Sequence, residues 1–176
     1  MLNPVFSERL EMFVPDDAGL VASLLPADGF GMVVGRSVSS DWPPVHWDEG
    51  PVGWIRAKTK DCPDELFWRA RFIALKAGPV VGTVGFKGPP DFDGFVEIGY
   101  SVVASHWRRG IATEACGALL RWAAGDPRVK GFRAHTLHGD PASSGVLRKL
   151  GFVLVATLED PDDGKLDRFE RPARGV

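Results

Sequence analysis

The sequence of 176 residues has little cysteine and no long apolar run. Its two cysteines, Cys62 and Cys116, lie far apart and lack the spacing of a metal site, so we expect free thiols, a reducing cytoplasmic location and no metal. No apolar run approaches the roughly 20 residues that cross a bilayer, and the first residues lack the pattern of a signal peptide. We therefore predict no membrane association.

A large excess of charge of one sign is also missing. The chain carries 21 Lys and Arg against 23 Asp and Glu, a net charge of -2, and no clustered basic segment typical of nucleic-acid binding. The hydrophobic fraction of 44% and the charged fraction of 25% are ordinary for a globular protein. Since no linker or repeat divides the chain, we predict one domain over residues 1–176 with a core of about 7–171.

Seven segments have the β-rich or alternating pattern of strands, and these are residues 5–14, 66–76, 80–87, 95–103, 132–137, 152–158 and 165–171. Short turns between the second, third and fourth of these segments predict an antiparallel meander. Residues 26–60 are interrupted by glycines and prolines, so we expect loops with one short helix there.

Helices are predicted at three places. Pro15-Asp16-Asp17 begins a short helix towards Leu25, with acidic residues in its first turn. From Ile111 the apolar residues recur with the i, i+3, i+4 spacing of an amphipathic helix. A third helix runs to Leu150, with Asp140 as its N-cap and Pro141 at its first position. The fold class is therefore α+β around one sheet.

The segment that precedes the long helix has the features of an anion-binding turn. The first N–H groups of a helix have no partner within the helix, and the helix dipole is positive at this end. A phosphate can accept these N–H bonds, and a glycine lets it approach the backbone closely. Two arginines add positive charge and a threonine adds a hydroxyl donor in the segment Arg108-Arg109-Gly110-Ile111-Ala112-Thr113. The alternative is a basic helix start whose glycine serves packing.

Three stretches resemble the GNAT N-acetyltransferase family, in particular its ribosomal-protein-alanine (Rim-type) branch. They are Ser7-Glu8-Arg9-Leu10-Glu11-Met12, Glu97-Ile98-Gly99-Tyr100 with the turn up to Ala115, and Asp140-Pro141-Ala142-Ser143 followed by Val146 to Phe152. The resemblance implies a mixed, largely antiparallel sheet of about seven strands, flanked by helices and splayed at strands 4 and 5. It also implies that acetyl-CoA is the cosubstrate.

The same resemblance implies which residues bind acetyl-CoA. Val102 and Val103 would contact the pantetheine arm, and the pyrophosphate would be held by Arg108, Arg109, Gly110, Ile111, Ala112 and Thr113. The family usually has Gln or Arg where this chain has Trp107. Asp140 stands where the family has Asn, and an ionised Asp cannot donate a hydrogen bond; as a helix N-cap it has a structural explanation as well.

Transfer to an amine requires a base, oxyanion stabilisation and protonation of the leaving thiolate. Glu97 is the predicted base, acting through water, and Ser143 is the predicted donor or thiol-orienting group. A solvated strand glutamate and an ordinary helix serine are their structural alternatives. Tyr100 faces away from Glu97 by alternation and is expected in the core. His138, in the loop before the third helix, is a further base or acid, or a surface histidine.

The resemblance predicts acetyl transfer to a primary amine, either a protein N-terminus or a small molecule. A module that binds CoA without turnover remains the alternative, as does a purely structural α+β domain. The Trp-rich stretch, residues 41–49 around His46, is expected either to line an acceptor site or to pack under a long loop. A homodimer is a further open expectation, because exposed strand edges can pair.

Overall fold

A computed structural model describes residues 4–173 of the protein and shows one eight-stranded sheet flanked by helices. The strands are β1 (Val5–Phe6), β2 (Leu10–Phe13), β3 (Arg71–Leu75), β4 (Val80–Phe86), β5 (Phe95–Val102), β6 (Gly131–Leu137), β7 (Val153–Asp160) and β8 (Gly164–Pro172). The helices are α1 (Asp17–Ala22), α2 (Ala27–Val34), α3 (Glu49–Thr59), α4 (Leu66–Arg69), α5 (Ile111–Ala124) and α6 (Pro141–Lys149). Short 3-10 turns lie at Pro63–Glu65 and Ala104–His106.

The strand order is β1-β2-β3-β4-β5-β6-β8-β7. Every neighbouring pair is antiparallel except β5 and β6, which run parallel and are joined through α5. This arrangement confirms the predicted α+β class and the mixed, largely antiparallel sheet. The sheet has eight strands because the first predicted strand, residues 5–14, is divided by a turn in which Ser7 N–H donates to Leu10 O.

Helices and loops cover the two faces of the sheet. Helices α5 and α6 lie on one face, where Arg148 of α6 sits over the ring of Phe169. On the other face Phe72 of β3 meets the rings of Phe30, Trp42 and Trp47 at centroid distances of 4.9, 5.9 and 6.0 Å. The Trp-rich stretch therefore packs on the sheet, and its proposed part in an acceptor site stays a prediction.

The loop prediction for residues 26–60 and the first part of the strand prediction for 66–76 were wrong. Residues 26–60 contain two helices, α2 and α3, where loops with one short helix were expected, and the start of the 66–76 segment is the helical turn α4. Four glycines, two in each helix, lower the helix propensity of α2 and α3. Tertiary burial of Phe30, Val52 and Ile55 offsets that cost, since packing supplies most helix stability in proteins.

The later helices follow the predictions closely. In α5 the expected stripe is buried apart from the half-buried Ala112, and in α6 the Asp140 carboxylate accepts N–H bonds from Ala142 and Ser143 as an N-cap. Gly151 has φ +81° after α6, and Phe152 N–H returns to Leu147 O, which ends the helix as expected. Of the helices within residues 4–173, none is long and apolar enough to cross a membrane.

Ser23 joins α1 to the Trp-rich stretch and provides a test of this packing. Its fully buried hydroxyl donates to Leu20 O and accepts from Trp47 Nε1 at 2.9 Å. Ser23→Ala leaves a buried indole N–H unpaired, so we expect a loss of about 1–3 kcal/mol in the free energy of unfolding, measured by denaturant titration. In a Trp47→Phe background the same change should cost clearly less, and an equal cost in both backgrounds would contradict this account.

Candidate active site

The central feature of the site is the opening between β5 and β6. The two strands pair only at Phe95↔Gly131, Val96↔Phe132 and Glu97↔Arg133, and then separate. This is the predicted splay at strands 4 and 5, whose numbers become β5 and β6 because the first strand is divided. Glu97 O accepts from Lys87 N–H and Val103 N–H donates to Val81 O, so the odd-numbered residues of β5 bond to β4. By alternation, the backbone groups of Tyr100 and Val102 face the opening.

The predicted anion-binding turn lies at the wide end of this opening. The first backbone bond of α5 joins Glu114 N–H to Gly110 O, and no side chain caps the helix, so the N–H groups of Ile111, Ala112 and Thr113 have no helical partner. Arg108 and Gly110 adopt left-handed φ values of 58° and 77°. Turns of this kind direct successive N–H groups towards one point, which suits an anion.

A charged contact from the first strands holds this turn in place. Glu114 accepts from Ser7 Oγ at 2.7 Å, from Arg9 N–H at 2.8 Å and from Arg9 Nε at 2.6 Å. Burial raises the pKa of Glu114, but these hydrogen bonds outweigh it and lower the pKa overall. The Arg9 guanidinium also donates to Arg109 O, which brings a third arginine to the turn.

Trp107 occupies the mouth of the opening. Its indole N–H donates to Val102 O at 2.5 Å, while the ring remains half-exposed. The Val102 carbonyl is thereby occupied, while the backbone N–H of Val102 remains directed at the opening. Val103 uses its N–H on Val81 O and its carbonyl on His106 N–H. The backbone contact predicted for Val102 and Val103 is thus available mainly at Val102.

A polar cluster lies at the narrow end of the opening, on the face opposite α5. Glu97 Oε1 is 2.5 Å from Lys87 Nζ and 3.0 Å from His135 Nδ1. Burial raises the pKa of Glu97, but the contacts with Lys87 and His135 outweigh it, so the pKa lies below its ordinary value. Glu97 is therefore ionised at neutral pH. Because a carboxylate only accepts, Nδ1 of His135 carries the proton between them.

Open space adjoins this cluster at Gly99. A Cβ added to Gly99 would meet no atom within 4 Å, and the side chains of Glu97, Gly99 and Ser101 share one face of β5. Ser101 Oγ donates to Val45 O at 2.7 Å, so the Trp-rich stretch borders the same space. The β4–β5 ladder continues past Gly99 without a bulge, so this glycine leaves room for a ligand close to the strand.

The Trp-rich stretch is tied to the segment just before the turn. Asp41 accepts from Ser39 Oγ at 2.6 Å, from Ser105 N–H at 2.8 Å and from Ser105 Oγ at 2.9 Å. Burial opposes ionisation, but these hydrogen bonds lower the pKa of Asp41 to about 2. The border of the open space and the anion-binding turn are thus joined by one carboxylate.

The second predicted catalytic residue, Ser143, lies on the other face of the sheet. Tyr100 donates from its hydroxyl to Ser143 O at 3.1 Å, and burial raises the pKa of this tyrosine. Asp140 is occupied as the N-cap of α6; burial raises its pKa, but hydrogen bonds from Ser143 and Ala142 lower it overall. Glu97 and Ser143 therefore lie on opposite faces of β5.

Several contacts were not foreseen from the sequence. His135 pairs with Glu97 across 38 residues of sequence, and Arg9 pairs with Glu114 across 105. His138 pairs with Asp167 at 2.8 Å, and Asp167 lies opposite Thr136, on the α6 side of the sheet. Within residues 4–173 no three His, Cys, Asp or Glu side chains gather into a metal site.

Comparison with known proteins gives consistent matches. The family model described as Acetyltransferase (GNAT) domain matches residues 11–153. An uncharacterized N-acetyltransferase, YjdG of Bacillus subtilis, is 40% identical over 75 residues, and this alignment spans 43% of the chain and 45% of the relative, under half of each.

Two solved structures share the fold over nearly their whole length. RimL, a ribosomal L7/L12 alpha-N-protein acetyltransferase, matches with a TM-score of 0.70 and 19% identity, covering 98% of this chain and 95% of that one. The microcin C7 self-immunity acetyltransferase MccE, solved with acetyl-CoA and AMP, matches with a TM-score of 0.67 and 14% identity, covering 94% and 93%. At these identities the similarity concerns the fold.

The turn can be tested at Gly110. Gly110→Ala forces a left-handed φ on an alanine, which costs roughly 1–2 kcal/mol and distorts the N–H groups of the turn. We expect weaker binding of acetyl-CoA, measured by titration calorimetry. Gly35→Ala is the matched control, because Gly35 has φ +65°, no neighbour near its added Cβ and a place at the far end of α2. An equal loss of affinity in both variants would contradict a binding role for the turn.

Proposed function

Because the chain belongs to the GNAT acetyltransferase domain family, we propose that it transfers the acetyl group of acetyl-CoA to a primary amine. The observation that carries the proposal is the opening between β5 and β6, which joins an uncapped helix start at one end to the Glu97 cluster and the space at Gly99 at the other. The first end suits a diphosphate and the second suits a reacting amine.

The residues present fit acetyl-CoA. The backbone of Arg108 to Thr113 would hold the pyrophosphate, with positive charge from Arg108, Arg109 and Arg9. The N–H groups of Tyr100 and Val102 would contact the pantetheine arm and stabilise the oxyanion that develops on the acetyl oxygen. When bound, acetyl-CoA supplies the acetyl group as a thioester. Asp140 would border the arm as an acceptor only.

The catalytic groups would act from the two faces of β5. An amine attacks only when unprotonated, and free amines have ordinary pKa values of about 8 to 10. Glu97 lies beside the open space and would direct removal of the amine proton, through water or a neighbouring side chain. On the other face Ser143 would orient or protonate the leaving sulfur. This separation keeps the base away from the thiolate.

The acceptor is proposed as a chemical class, a primary amine. The Glu97 carboxylate and the border formed by the Trp-rich stretch suit an amine that becomes neutral on entry. The name of RimL describes a protein alpha-amine as its target, which supports a protein N-terminus, and a small-molecule amine is the other acceptor of the same chemistry. A cytoplasmic location, the absence of a nucleic-acid partner and a homodimer stay predictions.

Release of free thiol from acetyl-CoA tests the proposed function. The protein would be incubated with acetyl-CoA and a panel of polyamines, amino sugars and peptides with free N-termini, and a thiol-reactive dye would report turnover. We expect thiol release that depends on one amine class, with the acetylated amine identified by mass spectrometry. A rise in thermal stability with acetyl-CoA but no acetylation of any amine would favour the CoA-binding module, and no rise at millimolar acetyl-CoA would contradict cofactor binding altogether.

Gly99→Val tests where the amine binds. Gly99 lies within a strand, and its added side chain meets no atom, so valine should fold well and even favour the strand. The branched side chain would fill the open space beside Glu97, so we expect loss of amine turnover with unchanged affinity for acetyl-CoA. Thermal melting, calorimetry and thiol release on the same preparation separate these effects. Wild-type turnover in a fully folded variant would place the acceptor elsewhere.

A further inference from the structure

The Glu97–His135 pair has the form of a carboxylate that orients an imidazole. His135 Nδ1 lies 3.0 Å from Glu97 Oε1, and the two side chains are only 20% and 19% exposed. Because Glu97 accepts the Nδ1 proton, the neutral ring keeps its lone pair on Nε2. Within residues 4–173, Nε2 makes no hydrogen bond, yet it is not among the buried unpaired atoms, so it reaches solvent.

The pair spans the point at which the two strands separate. Glu97 and Arg133 form the last paired positions of β5 and β6, and His135 is the next residue of β6 on the same face. Gly99, with its open space, is the next residue of β5 on that face. The free nitrogen of His135 therefore belongs to the same face as the proposed amine site.

We propose that His135 is the catalytic residue that accepts the amine proton and that Glu97 is a positioning residue acting through it. This inference rests on the proposed acetyl transfer and replaces direct action of Glu97 with action through the imidazole. The neutral amine forms the new C–N bond while the C–S bond breaks with its electron pair on sulfur. The proton that the nitrogen sheds moves to Nε2 of His135 and then, through solvent, to the thiolate.

Glu97 by itself is poorly suited to take the proton. Its two close contacts, Lys87 Nζ and His135 Nδ1, both donate to the same oxygen, Oε1. The lowered pKa of Glu97 makes it a weak base, whereas a general base works best when its pKa lies near the working pH. An imidazole meets that condition as a residue type. The same division of roles occurs in hydrolases, where a carboxylate fixes the tautomer of a basic histidine.

Charged groups from five strands face the imidazole. Glu97 on β5 contacts it, Lys87 at the end of β4 contacts Glu97, and Arg168 on β8 lies opposite His135 in the ladder. Asp160 at the end of β7 is close enough to interact electrostatically with both His135 and Lys87. Arg133, on the same face of β6, interacts electrostatically with Glu97 and pairs with Glu170 of β8, which also contacts Arg168. Three negative and three positive groups thus lie around the ring, and Glu97 is the one that bonds to it.

His135→Gln is the central test, since glutamine can still donate to Glu97 but cannot exchange a proton. With an amine that the wild type acetylates, we expect kcat to fall by about 10²–10⁴-fold while the KM for acetyl-CoA is unchanged. The wild-type profile of kcat against pH should have an acid limb, and the variant should lack it. Added imidazole should restore part of the turnover of His135→Ala.

Two further variants decide between the alternatives. Glu97→Gln should reduce kcat less than His135→Gln and move the acid limb to lower pH, because the imidazolium loses its negative neighbour. His138→Gln alters the other carboxylate-paired histidine, which lies on the α6 side, and should keep turnover. Wild-type kcat and pH profile in His135→Gln, with turnover lost in Glu97→Gln, would assign the base to Glu97 and overturn the proposal. So would loss of the acid limb in His138→Gln alone.

A measurement without turnover separates this proposal from the proposed function. Nitrogen NMR of ¹⁵N-histidine protein, with His135→Gln to identify the signal, should show a neutral ring protonated at Nδ1 at pH 8. A ring that is still charged at pH 8.5 would overturn the role of His135 even if amines are acetylated. The expected ring state, without thiol release for any amine, would instead contradict the proposed function alone.

Discussion

The separation of β5 and β6 after three residue pairs is the constraint on which the rest of the structure depends. Each of the two strands is held on its outer side, β5 by the ladder to β4 and β6 by seven pairs with β8. Their inner backbone groups are left without a strand partner, although buried N–H and C=O groups are rarely left unpaired. Trp107 satisfies one of them at Val102 O, and the remainder are open to a ligand with amide groups of its own.

Charge is distributed around this opening in a way that suits its two ends. Positive charge and free N–H groups gather at the turn. Arg9 holds this turn by donating to Glu114, in the first turn of α5, and to Arg109 O, although it precedes them by 105 and 100 residues in sequence. At the other end the negative charge of Glu97 is held by Lys87 and His135. Asp41 links the two ends through Ser105. An anion would therefore meet positive charge and free N–H groups at one end of the opening, and an amine would meet the Glu97 carboxylate at the other.

Sequence reasoning succeeded where local rules govern the structure. The buried stripe of α5, the Asp140 cap and the left-handed Gly151 all depend on neighbours within one helical turn. It failed at α2 and α3, whose glycines weaken helix propensity while contacts with distant strands restore stability. It also missed the partner of Glu97, because a register between parallel strands linked by a helix cannot be read from either strand alone. The sequence indicated Glu97 and Ser143 as candidate catalytic residues, but only the fold shows that they lie on opposite faces of the sheet.

The location of Glu97 and Ser143 on opposite faces of β5 has a chemical consequence for the proposed reaction. Acyl transfer to an amine moves one proton away from nitrogen and one towards sulfur, and a single group serving both would have to reach across the reacting carbon. Here β5 lies between the Glu97–His135 pair on one face and Ser143 with Tyr100 on the other. If the acyl group is held in the plane of the sheet, the amine nitrogen would attack its carbonyl carbon from one face. The sulfur would then leave towards the other face. The alternation of side chains along one strand would then separate the two proposed proton transfers, and Gly99, which lacks a side chain, would leave the proposed path of attack open.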